Sequence, residues 1–223
     1  MEIDPAGLKV ADRYKLLIGC IVPRPIAWVS TVSLDGRANL APFSFFAGVG
    51  SAPMTLLFCP ANRDDGTEKD TLRNAKPRSE GGVGEFVVNI VPERLARQMA
   101  ATAEPLGPQE SEFDLAGLTP ASSVRVAPPR VAESPVHFEC RTVTVVRTNP
   151  GAPAGGNIVV GEVVHVSVED GLLNDRFHTD PTLLDAIGRM GGLGYCRTRD
   201  RFEMPMGRGA LGGLGGATDR TSS

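Results

Sequence analysis

Four cysteines in 223 residues, Cys20, Cys59, Cys140 and Cys196, lie far apart without any C-x-x-C pair, and His137, His165 and His178 are equally scattered. Such spacing suits neither a disulfide framework nor a zinc site, and the thiols read as small buried or half-buried side chains. Cys59 alone lies within the stretch singled out below, a candidate redox-sensitive thiol. No apolar run approaches the roughly 20 residues of a membrane-spanning helix. The first 15 residues are acidic and polar where a signal peptide is basic and then apolar, which favours the cytoplasm. Net charge is −3 with no block of Lys or Arg, so nothing marks a nucleic-acid surface. No G-x-G-x-x-G follows a strand, which disfavours a dinucleotide-binding parallel sheet. No internal repeat, catalytic triad or paired-carboxylate pattern stands out, and no catalytic side chain is named.

What is present concentrates in residues 24–71, an order of apolar runs, turns and small polar patches suited to one anionic aromatic ligand. Residues 28–33 alternate large and hydroxyl side chains and lead into Asp35-Gly36, the signature of a strand feeding a two-residue hairpin turn. The returning strand is expected over 39–48. Pro42 within it cannot donate a ladder hydrogen bond, so its neighbourhood must be an edge or a bulge with backbone groups free for a ligand. Further on, Thr67 reads as a helix N-cap with Asp70 as its capping-box partner, and a helix start carrying Lys69 and Thr71 suits a phosphate. Pro23 and Pro25 hold Arg24 extended, its guanidinium aimed either at an anionic phosphate or into an ion pair on the protein's own surface.

The remaining chain is strand-rich. Residues 14–22 are a short helix or a first strand, at a length where periodicity cannot decide. Strands are expected over 54–58, 85–91, 137–148 and 158–169, with Gly161 marking a bulge or tight corner. Asn89 reads as a residue bonding backbone within the sheet, with cofactor contact as its other use. A covering helix runs from Pro92 to Ala103 with Leu95 and Met99 on its apolar face. Residues 104–135, rich in Pro, Gly and Ser, hold two short ordered islands. Asp180-Pro181 caps and opens a helix over 181–190, which the glycines of RMGGLGY stop. The Gly-rich tail, 207–223, has too few large apolar side chains to pack and is expected to be disordered. One domain over 1–206 accommodates the rest, and many strands with turn signals point to a barrel.

In order, PRPIAWVST, DGRANLAPFSFF, EKDTLRN, EFVVNIV and RMGGLGY resemble the flavin reductase-like proteins with an FMN-binding split barrel, over about residues 10–206. The resemblance implies a mainly β fold with peripheral helices, a Greek-key split β-barrel of the pyridoxamine phosphate oxidase-like kind. It also implies FMN as cofactor and reduction of flavin by NADH or NADPH, hydride passing to flavin N5. Residues 104–135 would then be a lid or partner surface. For the phosphate it points to Ser30, Thr31, Lys69 and Thr71, with Asp70 in the same run and Arg24 in addition. For the ring it points to Asn39, Ala41, Pro42 and Ser44, matching N-x-A-P-x-S, with Phe46 and Trp28 packed nearby. Arg189, Gly191 and Tyr195 would close the site from the same or the other subunit, unless the glycines merely end a helix. A homodimer is implied, and an apolar groove lined by FSFF gives a physical reason for one. The acceptor would be a flavin-dependent monooxygenase or another electron acceptor. Two other readings stay open, a flavoredoxin-like electron carrier with tightly held FMN and a non-catalytic ligand-binding barrel. A pyridoxamine phosphate oxidase-like enzyme is a third, against which the N-x-A-P-x-S and KDT runs argue.

Overall fold

The computed structural model describes residues 1–107 and 110–211. Helix α1, Val10–Cys20, precedes a run of strands: β1, Ala27–Val32; β2, Ala38–Phe43; β3, Phe46–Ser51; and β4, Met54–Phe58. Helix α2, Asp70–Ala75, leads into β5, Glu85–Asn89. Then come α3, Ala96–Ala101; α4, Glu112–Ala116; and the short strands β6, Pro120–Ala121, and β7, Arg130–Val131. Two 12-residue strands follow, β8, Val136–Arg147, and β9, Asn157–Val168. The one-turn α5, Pro181–Leu184, and a hairpin of β10, Ile187–Arg189, with β11, Tyr195–Arg197, complete the set.

Seven strands form one antiparallel sheet in the order β2-β1-β5-β8-β9-β4-β3. Its two edge strands, β2 and β3, are neighbours in sequence, separated only by Ser44 and Phe45. Laid flat, edges six strand spacings of about 4.8 Å apart would be roughly 29 Å from each other. Three residue steps from Phe43 to Phe46 reach at most about 11 Å. The sheet must therefore curl until its edges meet, leaving a barrel split between β2 and β3.

Side-chain alternation assigns the two faces. Ala27, Val29 and Phe43 face inward with Phe58 and Phe86, while Leu72 and Ala75 of α2 join that core. Trp28 and Leu40 face outward into a second core with Met99, Phe113, Leu118 and Val131. Strand β1 is thus buried on both faces. Each fully buried Phe contributes on the order of 1.5–3 kcal/mol. The inner core leaves no room beside Gly161, where a Cβ would lie 2.4 Å from Phe86 Cζ. Gly161 pairs with Thr142 next to the register shift between Thr142 and Thr144, so the expected tight corner is there.

Several local expectations need correction. The β1–β2 connection is not a two-residue turn: Gly36 donates to Ser33 O, Ser33 N donates to Arg37 O, and Gly36 has φ +82°. That is a three-residue loop closed by a left-handed glycine. The run 39–48 is not one strand but the end of β2 and the start of β3. Pro42 does lie on an edge strand, yet β2 pairs with β1 without a bulge, and the register shift falls between Gly48 and Gly50 of β3. Residues 14–22 belong mostly to a helix, α1. Thr67 caps nothing: it bonds Asp65 in a turn, and Lys69 precedes α2 without a capping side chain. The helix at Pro181 is capped by Asp180 as expected but ends after one turn, because Asp185 takes φ +44° and the chain enters β10. RMGGLGY accordingly makes the turn of the β10–β11 hairpin and ends no helix. Cys20 is exposed, outside the expected burial.

Among the described residues of 104–135, part packs on the sheet and part, Leu106, Gly107, Glu110 and Glu112, lines a cleft. Phe113, Leu118 and Val131 are buried, and the fully buried Glu139 accepts from Val124 N at 2.8 Å and Arg125 N at 2.6 Å. Asn89 bonds Trp28 O and receives Val131 N, the backbone role read for it. Beyond it, Gly207–Leu211 form an exposed 3-10 turn, and residues 212–223 of the Gly-rich tail lie outside the described residues. Among the described residues no helix is long and apolar enough to cross a membrane.

Candidate functional site

The strand register separates residues that their sequence places side by side. On β1 and β2 the pairs Thr31–Asn39, Val29–Ala41 and Ala27–Phe43 share the inward face, and Ser30–Leu40 and Trp28–Pro42 share the outward one. Ser30 and Thr31 cannot both anchor the same group. Ser30 is fully buried on the outer side, donating to Pro129 O. Trp28 is also fully buried there, its Nε1 donating to Thr102 Oγ1 at 2.8 Å. Neither reaches an open cavity, so both fall out of the expected ring and phosphate contacts.

The inward face continues past the barrel core into polar ground. Thr31 Oγ1 accepts from Asn74 Nδ2 at 3.0 Å, and Thr71 Oγ1 accepts from Asn39 Nδ2 at 3.0 Å. These two bonds tie α2 to β1 and β2 beside a cleft of about 480 Å³. Its polar lining includes Asn39, Asn74, Asp70, Arg37, Arg63 and Arg73, with Glu110 and Glu112 also on its wall. Arg63 and Arg73 converge on the Asp70 carboxylate, and Arg63 Nη1 also donates to Glu68 O at 2.7 Å. Arg37 bonds Asp35. Burial pushes the Glu112 carboxyl above its ordinary range, although Leu40 N donates to it. Lys69 is exposed and makes no ion pair among the described residues; the protein packed around it and the Arg63 charge hold its pKa below the usual lysine value.

A second constellation forms where α1 ends. Arg24 is 3 % exposed. Its guanidinium donates to Ile18 O at 2.5 Å, Ile21 O at 2.8 Å, Met190 O at 3.0 Å and Ser44 Oγ at 3.1 Å. Its backbone pairs with Arg189 in both directions. The expected ion pair and the expected phosphate contact both give way to a third use, a buried clamp joining α1, the β2–β3 link and the β10–β11 hairpin. Arg189 stacks over Tyr195 at 4.4 Å and donates to Gly192 O, while a Cβ on Gly191 would touch Gly19 and Ile18 of α1. Of the motif N-x-A-P-x-S, Asn39 faces the cleft, Ala41 packs on the inner core as does Phe46 beyond the motif, Pro42 pairs with Trp28, and Ser44 is held by Arg24.

The structure thus divides the predicted residues in two. Thr31, Asn39, Lys69, Asp70 and Thr71 gather near α2; Arg24, Ser44, Arg189, Gly191 and Tyr195 gather near the end of α1. Arg37, Arg63, Arg73 and Asn74 were missed. The i,i+3 spacing of Asp70 and Arg73 was a readable signal; the approach of Arg63 from the preceding loop was not. Cys59, half-buried, has its thiol pKa pushed up by burial, the opposite of what a reactive thiolate requires.

The description "Flavin reductase like domain" matches residues 18–198. Among solved structures the chain is similar to component B of nitrilotriacetate monooxygenase from Bacillus cereus, 34% identical with a TM-score of 0.83 over 92% of this chain and 98% of that one. It is similar to 2-nitrobenzoate 2-nitroreductase from Pseudomonas fluorescens, 28% identical with a TM-score of 0.80 over 93% and 97%. A protein with a split barrel domain from Shewanella frigidimarina, 20% identical, shares the fold at a TM-score of 0.74 over 93% and 100%.

Proposed function

Since the chain belongs to the flavin reductase-like family, we propose that it is an FMN-binding oxidoreductase that takes hydride from NADH or NADPH and hands reduced flavin or electrons to an acceptor. The observation that carries this reading is the cleft beside α2, where Arg63, Arg73 and Arg37 line one space with the Asn39 and Asn74 amides. Guanidinium forks and amide donors fit the phosphate end of FMN. Lys69 adds a nearby cation. Thr71, nearly buried and held by Asn39, sets the direction of that amide. Toward the barrel's split edge, Ser44 accepts from Arg24 and keeps its own O–H to donate, while Ala41 and Phe46, partly buried, pack against the inner core of the adjoining strands. Those three suit the flat, partly polar edge of a flavin ring.

When bound, FMN supplies the redox chemistry, accepting hydride at N5. The chain's own part is to hold and orient. Arg24 holds Ser44 and the hairpin that carries Arg189 and Tyr195, so residues of this wall would keep their positions beside a bound ring. No proton-transfer residue is required by hydride transfer itself.

A homodimer belongs to the same reading. Helix α1 buries none of its residues, Tyr14 and Leu17 stand exposed on it with Ile21 just past its end, and Val49 on β3 and Phe202 are exposed as well. Apolar surface of this extent suits a second copy. Similarity to a monooxygenase component B supports an oxygenase as electron acceptor. The test is an absorbance spectrum of the purified protein with FMN, followed anaerobically by NADH and then NADPH. Flavin bands that bleach rapidly are the expected result and identify the donor. Bands that persist remove the reductase activity, and an absence of flavin binding removes the reading.

A further inference from the structure

We propose that Asp70 is a built-in counter-anion in a phosphomonoester site, holding Arg63 and Arg73 in place while it competes with the ligand's phosphate for them. The inference rests on the reading that the cleft beside α2 takes a phosphate. Two guanidiniums from separate segments, the loop after β4 and helix α2, close on one carboxylate. The side chains of Arg63, Asp70 and Arg73 are 37%, 45% and 52% exposed, so the trio sits at the cleft surface and not in the core. Ion pairs so exposed add little to folding. What the carboxylate does achieve is geometric. It presents two oxygens to two guanidinium forks as a phosphate would, and so keeps the forks converged when no ligand is present.

The charge balance sets the sign of the effect. The charged groups lining the cleft are Arg37, Arg63 and Arg73 against Asp70, Glu110 and Glu112. Glu112 accepts from Leu40 N at the wall, and Arg37 is bonded to Asp35 outside it. Asp70 is therefore the acid in direct contact with the two arginines that a phosphate would engage. A dianion entering there meets repulsion from Asp70 and must share both guanidiniums with it. Neutralising Asp70 removes the repulsion while its amide keeps an oxygen for one arginine. Loss of a cofactor-contacting residue weakens binding; loss of a competing anion strengthens it.

The shared ligand chemistry is a phosphomonoester, carried by FMN and equally by the 2′-phosphate of NADPH, and the test separates them. Wild type, Asp70→Asn and Arg73→Gln are titrated with FMN, riboflavin, NADPH, NADH and inorganic phosphate, using flavin fluorescence or calorimetry. For Asp70→Asn the expected change is about fivefold tighter FMN, the factor corresponding to about 1 kcal/mol between unit charges about 4 Å apart in water, with riboflavin unchanged. Arg73→Gln is expected to weaken FMN by about tenfold and leave riboflavin alone. Tightening confined to NADPH over NADH keeps the site and assigns it to the nicotinamide donor. Weaker FMN binding by Asp70→Asn, or equal changes for FMN and riboflavin, overturns the proposal. If wild type binds no flavin, the functional reading falls by itself, and inorganic phosphate and NADPH still decide on Asp70. Asp70→Ser, at the same half-exposed position, carries the test with the same expected sign if Asp70→Asn does not fold.

Discussion

Arginine is used in opposite ways at the two ends of this barrel. Near the end of α1, Arg24 is buried and its donors go to three backbone carbonyls and one hydroxyl. Beside α2, Arg63 and Arg73 stand half-exposed and share a carboxylate. The first arrangement has no replaceable partner: carbonyls of a helix end and a hairpin cannot leave, and burial makes each unmade bond costly. The second has a partner that a stronger anion can displace. What distinguishes structural from ligand-facing arginine here is the permanence of its acceptors, not the residue type or its neighbours in sequence.

The sharpest break of this comparison is Arg24→Met, which leaves the Ile18, Ile21 and Met190 carbonyls without their buried donor. We expect a loss of about 3–5 kcal/mol in urea unfolding. That corresponds to a fall of roughly 10 °C in Tm for a chain of this size. Arg24→Lys should recover only part of it, since an ammonium cannot reproduce the planar fork; full recovery would mean that charge alone matters. Ser30→Ala should lower stability by about 1 kcal/mol through the lost bond to Pro129 O, with FMN affinity unchanged. A clear loss of FMN affinity would return Ser30 to the ligand side of β1. Arg63→Gln should move stability by less than about 1 kcal/mol, as an exposed pair implies, while weakening FMN. An unfolded Arg63 variant would erase the distinction between the two ends.

A pH test addresses the outer face between them. His137 Nε2 must carry a proton, because its partner at 2.9 Å is the Val131 carbonyl, and Nδ1 is buried with no hydrogen-bond partner among the described residues. Burial holds its pKa below the ordinary histidine value, the Arg130 charge adding to the effect against the Val131 bond and Glu139. The unfolded chain therefore binds a proton first as pH falls. Stability from this group is full above about pH 6.5, the unfolded value, and declines as pH falls toward the folded pKa. In wild type the urea midpoint should decrease across that window, and His137→Gln should flatten that part of the profile; an unchanged slope would show that carboxylates account for it.

Much of the fold was legible because strand signals are local. The alternation over 137–148 and 158–169 matches β8 and β9 to within a residue or two, and Asp180-Pro181 does open a capped helix. Where the sequence left alternatives open, distant contacts decided. Residues 14–22 belong mostly to a helix whose last carbonyls are met by Arg24, and Val124, Arg125 and Val131 are drawn onto the sheet by Glu139 and Asn89. At the candidate site, the N-x-A-P-x-S and KDT runs pointed to β2 and α2, which the Asn39–Thr71 bond joins beside the cleft. They could not say which of Ser30 and Thr31, opposed by strand alternation, looks toward the cleft side, because that follows from which face the second core covers.

By itself the sequence determined the strand-rich composition, an interruption of regular pairing at Pro42 and Gly161, and the family to which the chain belongs. These follow from backbone chemistry and residue order, which do not depend on what lies across the molecule. Only the tertiary structure decided that β2 and β3 part to opposite edges of a curled sheet, that Arg24 is spent on carbonyls, and that Arg63 and Arg73 meet over Asp70. Each of these depends on which groups become neighbours after the sheet closes. A side chain's chemistry is fixed by its type, but its role is set by whether its partners can leave.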